Sequence, residues 1–181
     1  MSTTKWVLDP THSEIGFKVK HMMFTNVSGL ITNFQLHVSS NYDDFLNADI
    51  EFIAESSSIN TNNEQRNNHI KSSDFFDVEK FPVITFLSTS FTKLDEHNNY
   101  ELVGNLTIKN ITKSVSFHVE NGGIMKDPLG NIKAGFIITG KINRTDFGMN
   151  WNDTLETGGV LVSEVVRINC EIQLVKQTLN S

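Results

Sequence analysis

Arg66 and His69 stand three residues apart in Arg66-Asn67-Asn68-His69-Ile70. On a helix that spacing puts both on one face. An arginine fork holds carboxylate or phosphate, so the pair predicts a grip for a polar head group. The plainer alternative is an exposed helix face that caps or tethers a loop. His21 ends an alternating run and shares parity with Ile15, Phe17 and Val19, so it faces whatever that strand buries. A histidine there can donate to a ligand through one nitrogen while the protein holds the other. The alternative is a strand-end histidine satisfied by backbone or water.

Other polar groups point to less. His12 next to Ser13 invites a hydrolase reading, but neighbours on an extended chain point to opposite faces, and no Gly-x-Ser-x-Gly elbow occurs. A turn bonded to its own backbone is expected there. The histidines show no His-x-His or His-x3-His spacing, and Asp153, Glu156 and Glu164 lack the spacing of a calcium loop. With a single Cys170, no internal disulfide and no multi-cysteine metal site is available. The sequence therefore predicts no metal, no cofactor and no catalytic set. Asp146, two residues after Arg144, is expected to tie down a loop whose aromatics, Phe147 and Trp151, plug or gate one end of the fold.

Strands must position these groups. Period-2 alternation runs through most of the chain: Lys5 to Asp9, Glu14 to His21, a strand opened by Gly29 that carries Phe34, Leu36 and Val38, and Asn47 to Glu55. It resumes over Val83 to Thr92, Tyr100 to Ile108, Ser114 to Asn121, Ile132 to Asn143 and Val160 to Lys176. Turns are legible at Asn41-Tyr42-Asp43-Asp44, Asp95 to Asn99, Lys109-Asn110 and Asp127 to Asn131. One long interruption, Ile59 to Phe86, carries Arg66 and His69. A short helix is expected over Asn62 to Ile70, capped by Thr61 or Asn60, with Glu64 closing a capping box. Asp74-Phe75-Phe76 then drops two rings onto the core, and Pro82 ends the insertion. The expected fold is all-β, an eight-stranded antiparallel barrel with a short helical insertion around residues 62–78. Long strands favour a barrel over a sandwich.

Composition sets the outer bounds. A chain of 181 residues reads as one domain with its strand pattern over about 5–176. A net charge of -6 without a basic stripe argues against nucleic acid. No apolar run is long enough to span a membrane. The first five residues lack a secretory h-region, which predicts a cytoplasmic protein unless the N-terminus is processed. The triplets at Asn105 and Asn110 read as chance in an Asn-rich chain. Thirteen phenylalanines, mostly inside alternating runs, suffice to line a large apolar interior.

Four segments, in order, carry a resemblance: Trp6-Val7-Leu8-Asp9-Pro10-Thr11-His12-Ser13 with Phe17 to His21; Arg66 to Ile70 with Ser73-Asp74-Phe75-Phe76-Asp77 and Phe81 to Phe86; Gly104 to Lys113; and Arg144-Thr145-Asp146-Phe147-Gly148 with Trp151. Together they resemble the YceI-like family, lipocalin-like barrels associated with polyisoprenoids and other long apolar molecules. Where similar members carry an acid after the arginine of the second segment, this chain has Asn67, which leaves Arg66 freer to meet an anion or marks neutral drift. The resemblance implies an elongated apolar ligand (polyisoprenoid, isoprenoid quinone or fatty-acyl chain) inside the barrel, for carriage, storage or sensing. Phe17, Phe34, Phe52, Phe86, Phe117, Phe136 and Ile168 are the expected lining, with His21, Arg66, His69 and Trp151 near the opening. Two other readings stay open: an enzyme acting on such a lipid through His21, His69 and Asp74 or Asp77, and a filled barrel serving as a stress-response interaction protein. A homodimer through a strand edge or through Met22-Met23-Phe24 fits any of the three.

Overall fold

A computed structural model describes residues 3–41 and 44–177. Eleven strands follow in order: β1 (Thr3–Leu8), β2 (Glu14–His21), β3 (Thr25–Ile31), β4 (Phe34–Asn41), β5 (Asp44–Glu55), β6 (Ile59–Asn60), β7 (Val83–Lys93), β8 (Asn99–Ile108), β9 (Ile111–Lys126), β10 (Ile132–Asn143) and β11 (Val162–Lys176). One helix, α1 (Glu64–Lys71), sits between β6 and β7. Every pairing is antiparallel.

The strands form eight runs, because the first six are three bent ones. β1 and β2 share one edge of β11, β1 at Leu174–Lys176 and β2 at Val162–Glu171. β3 and β4 lie along β2 and β1, and β6 and β5 lie along β3 and β4. From there the chain meanders through β7, β8, β9 and β10 to β11, which closes on β1 and β2. The result is a closed eight-stranded barrel, as the alternation predicts. β3 and β4 were expected as one strand; a bend at Thr32-Asn33 divides them, where Thr32 N–H and Oγ1 both donate to the Ser58 carbonyl. The turn expected at residues 41–44 includes residues 42 and 43, which lie outside the described residues.

The β1–β2 bend follows from its sequence. Pro10 has no N–H to give a ladder. Asp9 caps the turn instead, its carboxylate accepting from Thr11 N (3.2 Å) and Thr11 Oγ1 (2.8 Å). The same carboxylate meets His12 Nδ1 at 3.0 Å, Gln173 Nε2 at 3.1 Å and Lys133 Nζ at 3.4 Å, which staples the bend to β10 and β11. The Thr11 hydroxyl, then His12 and Lys133, outweigh the opposing push of burial and hold Asp9 far below the usual carboxylate range. Ser13 faces elsewhere, exchanging hydrogen bonds with Gln173 backbone. His12 and Ser13 thus serve a structural bend, though its bonds run to the Asp9 carboxylate and to β11 and not only to its own backbone as expected.

One end of the barrel is shut by aromatics. Trp6, Phe45 and Phe136 are buried and pack in sequence, Trp6 tilted on Phe45 and Phe45 edge-on to Phe136, with centroids 4.9 Å and 5.0 Å apart. Trp6 Nε1 donates to Ser40 Oγ at 3.1 Å. That bond satisfies the one polar atom of an otherwise apolar floor.

Candidate functional site

The barrel is hollow. A cavity of about 620 Å3 runs from Phe45 and Leu174 near the floor to Trp151 and α1 at the other end. That volume is in the range of small-molecule sites. Its lining on β11 runs from Val162 to Leu174, about 40 Å of strand at roughly 3.3 Å per residue. With the usual barrel tilt the slot is about 30 Å deep. Inward-facing Ile15, Phe17, Val19, Phe52, Ile138, Val166 and Ile168 are only half-buried, because solvent reaches them from inside. A filled barrel would bury them.

Glycine keeps the slot open. Phe17 pairs directly with Gly29 across β2 and β3, and its ring occupies the space a β-carbon at Gly29 would take. Phe117 lies over Gly140 and Phe86 over Gly104 in the same way. Rings laid flat on glycines form wall and do not project into the lumen.

Of the predicted lining, Phe17, Phe52, Phe86, Phe117, Phe136 and Ile168 all face the cavity. Phe34 does not. It stands just after the β3–β4 bend, opposite Ala54, and its ring packs against Phe52 with centroids 5.8 Å apart. Phe52 takes the lining place, and Phe34 backs it.

The polar candidates gather at the open end. Ile59 and Thr61 are buried where the insertion leaves the barrel. The helix cap is Asn63, two residues past Thr61 and three past Asn60: its side chain accepts from Arg66 N at 2.9 Å. Glu64 therefore starts the helix and closes no capping box. Asn67 is engaged within the insertion. Its Oδ1 accepts from Thr61 N (2.8 Å) and Thr61 Oγ1 (2.6 Å), and its Nδ2 donates to Asn60 Oδ1 at 3.1 Å. Thr61 Oγ1 in turn accepts from Arg66 Nε at 2.8 Å, and the Thr61 carbonyl accepts from Arg66 Nη2. This net moors α1 across the mouth and aims Arg66 and His69 at the cavity, which both line.

His69 Nε2 meets Asp74 Oδ2 at 2.8 Å. Its ring stands edge-on to Trp151 at 4.6 Å and to Phe75 at 5.1 Å, and Phe75 lies 5.5 Å from Trp151. Phe75 and Phe76 both line the cavity, as the turn at Asp74 predicts. His21 ends β2 at the same rim and also lines the cavity, half-buried.

Sequence reasoning missed the strongest polar group here. Arg144, only 3% exposed, lines the cavity. It donates to four carbonyls: Ser163 (2.8 Å, from Nε), Met149 and Trp151 (2.7 and 2.8 Å, from Nη1) and Val162 (3.2 Å, from Nη2). Burial pulls the guanidinium down from its ordinary value, opposed by the charge of Glu164. Arg144, not Asp146, ties the loop; Asp146 is exposed. Phe147 is buried in the core outside the lumen, so only Trp151 of the loop aromatics reaches the opening. The signal in the sequence was a lone arginine at the end of an alternating strand, but its carbonyl partners lie up to 19 residues away.

Cys170 faces the slot from β11. Burial pushes its thiol up to about 11. Among the described residues no group of His, Cys, Asp and Glu could hold a metal ion, and no helix is long and apolar enough to cross a membrane.

With this geometry in view, the comparisons with known proteins are specific. A sequence model of the YceI-like domain matches residues 6–174. The chain belongs to the YceI-like family. A Staphylococcus aureus (strain MSSA476) relative of the UPF0312 group is 39% identical over 171 residues, covering 94% of this chain and 96% of its own. The crystal structure of a Campylobacter jejuni YceI protein superposes with a TM-score of 0.75 at 29% identity, over 94% of this chain and 97% of its own. A Saccharophagus degradans polyisoprenoid-binding domain, implicated in plant cell wall breakdown, superposes with a TM-score of 0.67 at 12% identity, over 95% of this chain and 98% of its own. That last likeness speaks to the YceI-like barrel alone.

Proposed function

We propose that this YceI-like barrel binds one elongated apolar lipid, a polyisoprenoid, isoprenoid quinone or fatty-acyl chain, for carriage, storage or sensing. The observation that carries the reading is the slot of about 620 Å3, apolar along its walls, shut by Trp6, Phe45 and Phe136 and open beside α1. Its shape suits a chain, not a compact molecule. Burial supplies the affinity, about 0.8 kcal/mol per methylene, so selection among chains of similar length is weak. Phe17, Phe52, Phe86, Phe117, Phe136 and Ile168 contact the chain; His21, Arg66, His69 and Trp151 meet its head.

Native mass spectrometry of the gently purified protein tests the reading. A co-purified lipid, or uptake of farnesol or dodecanoate at one per chain, is the expected result. Repeated absence of lipid and failure to take up either probe sinks it. An enzyme reading has one favourable observation, the 2.8 Å His69–Asp74 contact beside the opening; turnover of a quinone or prenyl lipid, lost in His69→Ala with binding kept, would establish it. Light scattering decides whether the exposed Met22-Met23-Phe24 tip pairs two copies.

A further inference from the structure

The groups around the mouth are unbalanced in charge. Lys20, His21, Arg66, His69 and Arg144 line the cavity, and no aspartate or glutamate among the described residues does. Asp74 is held by His69, and Glu164, whose charge reaches Arg144, is exposed and forms no ion pair with it. The ion pairs among the described residues involve His12, His69, Lys93 and Lys133, and neither arginine.

Both guanidinium groups keep donors in reserve. A guanidinium carries five N–H donors. Arg66 uses Nε and one Nη2 hydrogen on Thr61, and its Nη1 has no acceptor among the described residues. Arg144 uses Nε, both Nη1 hydrogens and one Nη2 hydrogen on carbonyls, leaving one N–H inside a buried site. Carbonyl oxygens satisfy hydrogen bonds but do not cancel charge, and a buried charge without a counter-ion is costly. The two arginines also flank one aromatic platform. Arg144 lies over Phe75 at 5.9 Å and bonds the Trp151 carbonyl. Arg66 shares the α1 face of His69, whose ring stands on Phe75 and Trp151.

Resting on the lipid-cradle reading above, we infer that the ligand ends in an anionic head, a carboxylate or phosphate, seated on the Phe75–Trp151 platform between Arg66 and Arg144. A neutral head would leave the buried charge as it is; an anion cancels it and takes up the unused donors.

The test is a head-group series on one chain: farnesol, farnesoic acid and farnesyl phosphate, titrated calorimetrically into the wild-type protein and into Arg66→Gln and Arg66→Lys. Arg144 is left intact because it holds its loop together. At least one anion is expected to bind about tenfold or more tighter than farnesol. Arg66→Gln should erase most of that advantage, read as the ratio of anion to farnesol affinity within the same variant, and Arg66→Lys should recover part of it. Whichever anion binds tighter identifies the head as carboxylate or phosphate. Equal affinity for all three probes, or an anion preference untouched in Arg66→Gln, overturns the inference while the lipid-binding reading stands. If none of the three binds, the lipid-binding reading itself fails and takes this inference with it.

Discussion

Replacing Gly29 by alanine is predicted to narrow the slot without unfolding the barrel. A β-carbon there would stand 2.6 Å from Phe17 Cε1 and 3.0 Å from Cε2, whereas relaxed carbon contacts begin near about 3.5 Å. Cζ would be closer still, so the Phe17 ring must retreat by more than an ångström. β3 is laddered to β2 through Gly29 and pinned to β6 at the next two residues, Leu30 and Ile31, which resists a backbone shift. The lumen is the free direction, and Phe17 already borders it. Because the ring has room to move, the stability cost should stay near the low end of overpacking, about 1 kcal/mol. Binding pays more. Phe17 lies four residues inside His21 on β2, so a ring turned inward stops a chain part-way down. Excluding even three methylenes costs about 2.4 kcal/mol, close to a sixtyfold loss of affinity, and each further one adds about 0.8 kcal/mol. Calorimetric titration with a series of saturated fatty acids of increasing length reads this directly. Short chains should bind as they do to wild type, and the gain per added methylene should vanish at the blocked depth. Phe17→Leu added to Gly29→Ala should restore the gain. An unchanged length dependence in a folded Gly29→Ala protein would refute the idea that glycine keeps the channel open.

Three further outcomes follow from the geometry. Asp9→Asn should lower stability at neutral pH by about 2 kcal/mol, since it weakens charge-assisted bonds to Lys133 and His12. Because the folded state holds Asp9 below its ordinary value, the wild-type advantage is complete above the unfolded pKa near about 4 and is lost as pH falls toward the depressed one; urea melts of both proteins between pH 7 and pH 2 should converge. Arg144→Leu takes a donor from four carbonyls, of which only that of Val162 keeps another side-chain donor, Asn152, and should cost about 3 kcal/mol or more, with hydrogen exchange rising first in residues 149–163. Cys170, its thiol pushed up to about 11 by burial, should resist alkylation in the native protein at pH 8 and react promptly in denaturant; prompt native reaction would show the slot to be wetter than described.

Much of the barrel was legible because a strand's side-chain period is rigid. One-sided runs such as Val115-Phe117-Val119 and Ala134-Phe136-Ile138 point inward where parity places them. Features that depend on partners distant in sequence were not legible. Parity puts Phe34 on the face of Leu36 and Val38, and it does pack on Phe52 against the core, but it sits at the strand's first position, next to the bend that Ser58 sets at Thr32, and is not part of the cavity wall. Thr61 resembled a helix cap because its hydroxyl is local to the helix; its true partners, Asn67 and Arg66, are one and a half turns along. Asp146 looked like the group that ties the loop, since two of Arg144's carbonyl acceptors, Val162 and Ser163, become its neighbours only when β10 and β11 meet. A count of thirteen phenylalanines cannot separate a hollow barrel from a filled one. That distinction rests on which ring crosses onto which glycine, and only register decides it.

The placement of the two tryptophans gives the protein an optical signature of its own. Trp6 stands behind Phe45, 2% exposed and outside the cavity lining, while Trp151 borders the opening. No third indole exists to blur the distinction. Emission from Trp6 should be constant whatever the barrel holds, and emission from Trp151 should respond as a head group settles beside it. Each molecule thus carries a reporter and an internal reference, and occupancy becomes readable from intrinsic fluorescence in the unlabelled protein.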